Sequence, residues 1–109
     1  MIRTVLACVV TLVASSAYAQ DAALIKRGEA VYTAQKCSVC HSVAGKGNQR
    51  GSLDKVGSKL SADEIHQWIV AAPDMAAKTK ATRKPLMKAY TTLSKEDLDA
   101  LTAYLQSLK

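Results

Sequence analysis

The chain has 109 residues, 49% of them apolar, with 15 Lys and Arg against 9 Asp and Glu for a formal net charge of +6, and its aromatics are one Trp and four Tyr with no Phe. One small domain is expected at that length, and a core so short of large side chains is marginal without something more, such as a flat apolar cofactor, to fill it. The positive excess argues for acidic partner proteins or anionic surfaces.

The first element is a leader. Met1-Ile2-Arg3 is a short positive start, Thr4 to Ala14 carries no charge, and the run closes on the small residues of Ala17-Tyr18-Ala19 before polar Gln20 and Asp21. This is the layout of a signal peptide, with cleavage expected after Ala19 and export to the periplasm. The apolar run is shorter than the roughly 20 residues of a spanning helix, and nothing later in the chain is apolar enough to span. Cys8 is expected to leave with the leader. All 9 acidic residues follow Ala19, so loss of Arg3 leaves 14 − 9 = +5. Export also removes the chain from most nucleic acid, so a nucleic-acid partner is not expected.

From Asp21, placed as an N-cap, the spacing predicts a helix over Ala22 to about Lys36, with Leu24, Gly28, Val31 and Tyr32 on one face. It runs into Cys37-Ser38-Val39-Cys40-His41. This is the C-x-x-C-H attachment pattern of haem c: each thiol adds to one porphyrin vinyl group, and the adjacent His41 is brought under the iron as the proximal ligand. Three other readings compete. A thioredoxin-like pair should follow a strand in a βαβ unit, and none is visible. Structural zinc needs more ligands than the isolated His66 supplies. A short-loop disulfide is compatible with the spacing alone.

From His41 to Leu60, a polar stretch with Gly45, Gly47, Gly51 and Gly57 reads as loop. Ser61 and Glu64 then form a capping box and Leu60 and Ile65 its staple, opening a helix with Ile65, Trp68, Ile69 and Ala72 inward and Pro73 as its stop. Asp74 to Leu93 reads as a second irregular segment, of the kind that wraps a cofactor. Ser94 and Asp97 repeat the capping box with Leu93 and Leu98 as staple, and Leu101, Tyr104, Leu105 and Leu108 line one face of the last helix.

Two methionines follow the leader. Met75 sits two residues after Pro73, where reaching the far face of a haem requires an immediate reversal; Met87 lies in a slack loop after Pro85 and is the expected sixth ligand, a role that raises reduction potential. The bland reading of a methionine is gap-filling in a core. His66 is one step off the apolar stripe and reads as surface, whereas Trp68 reads first as core. Lys78, Lys80, Arg83, Lys84 and Lys88 form a basic run that is either a plain solvated face or a ring of charge around an exposed haem edge.

Taken together, these residues resemble the small class I c-type cytochromes of bacteria along nearly the whole chain after the leader. Gly28 and Tyr32 before Cys37 to His41, Gly51-Ser52-Leu53 and Val56-Gly57, Trp68-Ile69, Lys84-Pro85-Leu86-Met87-Lys88-Ala89-Tyr90, and Leu101 with Tyr104-Leu105 carry the resemblance. It implies an all-α fold of three to five helices wrapped around one covalently bound haem, with the first and last helices crossing near Gly28 and Tyr104. It also implies His41 and Met87 as axial ligands and an indole N–H of Trp68 beside a haem propionate. The family often has Pro where Ser52 stands, with its carbonyl accepting the proton of the proximal histidine, and often Pro where Lys88 stands. The implied function is one-electron carriage between exported redox proteins, without enzymatic activity, since the chain offers no nucleophile, base and orienter cluster. Two alternatives share the site: a haem-bearing relay subunit of a multisubunit oxidoreductase, and a five-coordinate haem sensor or peroxidase with Met87 unbound.

Overall fold

The structure is a computed structural model that describes residues 12–109, with side chains from Asp21 onward; Met1 to Arg3, Cys8 and the start of the apolar run lie outside the described residues. Helices α1 (Leu12–Ala34), α2 (Val56–Lys59), α3 (Ala62–Val70), α4 (Ala72–Thr79) and α5 (Lys95–Gln106) account for most of it, so the all-α expectation holds. Among the described residues no helix is long and apolar enough to cross a membrane.

Helix α1 begins well before the expected cap. Nothing between Leu12 and Ala23 is Gly or Pro, so the helix runs through Asp21, which lies inside it rather than capping it. At its other end Lys36 adopts a left-handed conformation at φ 57° and its N–H turns back to the Thr33 carbonyl at 3.1 Å, so the helix stops two residues short of the expected end. The inward face also differs by one position. Leu24 is exposed, and Ile25 packs against the core with Val31 and Tyr32.

The most extensive helix pairing is α1 on α5. It needs Gly28, because a Cβ there would run into the Ala100 carbonyl and the Tyr104 side chain. Close approach at that point lets Tyr32 and Tyr104 meet edge-to-face, ring centroids 5.7 Å apart at 65°. Such a pair adds about 0.5–1.5 kcal/mol beyond its buried area. Arg27 pairs with Asp97 at 3.0 Å across the same junction. Ile65 and Ile69 of α3 and Leu101 and Leu105 of α5 complete the core.

Both predicted helix starts are present, but only one box is reciprocal. Ser61 accepts from the Glu64 N–H and Glu64 accepts from the Ser61 N–H, each at 3.1 Å. Ser94 accepts from the Asp97 N–H at 3.1 Å, while the Asp97 carboxylate, one methylene shorter than a glutamate's, is turned to Arg27 instead. Pro73 does not simply stop α3. It lies in the first turn of α4, where a fixed φ and a missing N–H cost nothing, so part of the segment expected to be irregular is helical.

The stretch after His41 is also more ordered than a plain loop. Ser42–Val43 (β1) and Lys46–Gly47 (β2) pair antiparallel, a 3-10 turn follows at Gln49–Gly51, and α2 is tied to the chain end by Gly57 N–H to Leu108 O and Gln106 Nε2 to Gly57 O, both 2.8 Å. The segment from Lys80 to Leu93 has no helix or strand.

A mostly apolar cavity between the helices

Between the C-terminal end of α1, α3, α5 and the two irregular stretches lies a mostly apolar cavity of about 660 Å³. That is within the range of small-molecule and cofactor sites. Cys37, Cys40, His41, Trp68 and Met87 all line it. Met75 and His66 do not, although both are half-buried. The structure thus brings together the five residues singled out from the sequence and leaves the two rivals outside.

The Cys37–His41 segment is built as one tight turn. Cys37 to Val39 is 3-10, and the Cys37 carbonyl accepts the N–H of both Cys40 (3.1 Å) and His41 (2.9 Å). Cys37 and Cys40 are not joined to each other by a disulfide. Burial pushes the Cys37 thiol up, and Cys40 adds to the rise while Lys88 opposes it.

His41 is oriented from behind. Its Nδ1 lies 2.9 Å from the Gly51 carbonyl, and since a carbonyl only accepts, Nδ1 carries the proton and Nε2 keeps its lone pair. Burial holds the imidazole below its usual pKa, with the Arg83 charge acting in the same direction and the bond to Gly51 against it. A neutral imidazole with a free Nε2 is a metal ligand in waiting. The acceptor is Gly51 and not Ser52, whose position the sequence pointed to. The 3-10 turn at Gln49–Gly51 aims the earlier carbonyl at the ring, and Ser52 is exposed.

Two residues with roles here are not marked by motif spacing. Asn48 donates its backbone N–H to the carbonyls of His41 (2.9 Å) and Ser38 (3.1 Å) and its side-chain amide to Val39 O (3.2 Å), so it closes the turn from the outside. The available signal was an Asn followed by a Gly-containing turn. Arg83 is half-buried, lines the cavity and donates from Nη2 to the Cys40 carbonyl at 2.6 Å. Within a basic run nothing distinguishes the one inward cation; Lys78, Lys80, Lys84 and Lys88 are exposed, and Lys88 Nζ lies 4.8 Å above the Tyr90 ring.

The residues suit a flat apolar group held from one side by sulfur and nitrogen. The two cysteines and the imidazole whose Nε2 keeps its lone pair border a mostly apolar hollow, the donor set that such a group needs. Among the described residues no three His, Cys, Asp or Glu side chains are grouped to hold a bare metal ion.

The cytochrome c family model matches residues 25–109, and the chain belongs to that family as a small class I c-type cytochrome. No curated protein and no solved structure matches it. Membership makes this a haem-based electron carrier, and the family's covalently bound haem c is the group the cavity fits.

Proposed function

We propose that the exported chain, cut after Ala19, is a periplasmic one-electron carrier holding a single haem c on Cys37 and Cys40, with His41 and Met87 as the two axial ligands. The observation that carries this reading is the convergence of the four side chains on one apolar cavity while Met75 and His66 stay outside it. Bound haem supplies an iron that gains and loses one electron. The chain's own residues decide what that iron can do. With haem bound, His41 would supply Nε2 from a ring held by Gly51, and Met87 would supply its thioether, leaving no position open to oxygen, peroxide or a substrate. A soft thioether favours the ferrous state. Trp68 in the wall suits an indole N–H donated to a propionate.

Exposed apolar Val39 and Leu86 with exposed Lys36 and Lys88 border the cavity, and exposed Lys84 is next to Pro85 of the same rim; together they support a docking face for acidic redox proteins. Exposed cations act there mainly by steering encounters.

Mass and absorption spectra of the purified protein test the reading. The expected mass is Gln20 to Lys109 plus one haem, with both thiols closed to alkylation, and the expected ferric spectrum has the weak far-red band of iron–thioether bonding. Replacing Cys37 and Cys40 together by Ala should abolish covalent haem. Two free thiols or a disulfide in the wild-type protein overturn the proposal.

A further inference from the structure

Of the cations between residues 78 and 88, Arg83 alone is withdrawn from solvent, and its environment is specific. Its Nη2 donates to the Cys40 carbonyl at 2.6 Å, a charge-assisted bond spanning 43 residues of chain. Its guanidinium also lies against Gly51 so closely that a Cβ at that position would strike both Nη1 and the Cys40 carbonyl. Gly51 in turn offers the carbonyl that accepts the His41 Nδ1–H at 2.9 Å. Arg83 therefore touches the two peptide units that bracket the imidazole: the one preceding His41 in the chain and the one orienting its ring.

We propose that Arg83 is a positioning residue for His41, holding the Cys40 and Gly51 peptides in the relation that aims the Nδ1–H bond, and that its fixed positive charge raises the reduction potential of the centre. The proposal rests on the reading of His41 as an axial ligand. A cation next to the proximal side opposes the extra positive charge of the ferric state. The planar fork keeps the Gly51 carbonyl aimed at the ring and so fixes how strongly the imidazole proton is held. Lysine would restore the charge without the fork.

The test compares wild-type holoprotein with Arg83→Gln and Arg83→Lys. In redox titrations Arg83→Gln should shift the ferrous-to-ferric ratio at a given solution potential about tenfold toward ferric, about 59 mV for one electron. Arg83→Lys should recover part of that shift. By proton NMR of the ferrous protein, the His41 Nδ1–H should exchange with solvent at least tenfold faster in both variants. Unchanged potential and exchange, with the His and Met spectrum intact, overturn the proposal; so does a lowered melting temperature alone, which is all that a merely structural role predicts. Should Arg83→Gln fail to take up haem, the wild-type spectrum decides: resolved, slowly exchanging Arg83 guanidinium protons support the proposal, and a freely rotating, rapidly exchanging group sinks it. A wild-type protein without covalent haem fails the underlying reading instead, which the mass alone reveals.

Discussion

The two irregular stretches that border the cavity are built differently. From Cys37 to Leu53 the backbone is cross-linked to itself: Cys37 to Cys40 and His41, Asn48 to Ser38 and His41, and Ser42 to Leu53, with side-chain bonds from Asn48 and to Asp54 added. From Lys80 to Leu93 the chain is tied to the body through Ala81 N–H to Ala76 O, Tyr90 N–H to Ile69 O and the Arg83 bond to Cys40. Local cross-links fix a side chain in place before any ligand arrives, whereas a strap held at separate points leaves its middle, with Met87, free to be placed by what it meets. The stretch that carries His41 is thus preorganised and the one that carries Met87 is adaptable.

The sharpest way to break that contrast is to remove Met87. Met87→Ala should keep the covalent haem, lose the far-red ferric band, lower the reduction potential and open the centre to cyanide, while Met75→Ala, outside the cavity, leaves all four nearly unchanged. A reversed pattern would move the ligand role to Met75. Next in size is a pair of stability measurements. Gly51→Ala forces a methyl into Arg83 and the Cys40 carbonyl and should cost about 1–3 kcal/mol in denaturant unfolding. Thr82→Ala, on the exposed strap, should stay within about 0.5 kcal/mol. Equal losses would show that the two stretches are equally rigid.

Charge should matter on the strap for rate rather than stability. Replacing Lys84 and Lys88 by Glu should slow transfer with an acidic redox protein at low salt and flatten its salt dependence, since exposed charges are screened beyond about 10 Å at 0.1 M. The spectrum should not change. Glu at Lys26 and Lys109 serves as the control, and slower transfer there instead would move the docking face. The smallest effect belongs to Tyr32, in the wall both stretches share. Burial first, then Cys37 and Tyr104, push its hydroxyl up to about 12. The folded state therefore holds that proton more tightly than the unfolded chain, whose tyrosine titrates near 10. The resulting stabilisation is complete below the unfolded value and is lost as pH rises from about 10 to about 12. Tyr32→Phe should weaken the fall of melting temperature across that window.

What the sequence made legible was whatever is local and periodic. The Ser61 to Glu64 box, the inward Ile65 and Ile69 and the Cys37 to His41 turn all depend on residues within a few positions of one another or on a helical repeat, whereas the Gly28 crossing came only from the family resemblance. The misreadings came from residues with two permitted roles. Proline ends one helix as readily as it starts the next, so Pro73 by itself does not distinguish the end of α3 from the first turn of α4. Asp97 can close a box or pair with a cation, and only tertiary contact brings Arg27 to it. Neither Arg83 nor the choice of Gly51 over Ser52 has a local signature, because each depends on where distant chain is laid down.

The crossing at Gly28 has a consequence for how this chain tolerates shortening. Gly28 meets Ala100 across a separation of 100 − 28 = 72 positions. Closing a loop of that length costs about 4 kcal/mol in chain entropy on the logarithmic scaling alone. The contacts of α5 must offset that cost, and they hold the stretch of α1 that carries Tyr32 up to the cavity wall. Loss of the last dozen residues would therefore release the start of the chain as well as its end, leaving the cysteine turn intact in sequence but without the helix that seats it.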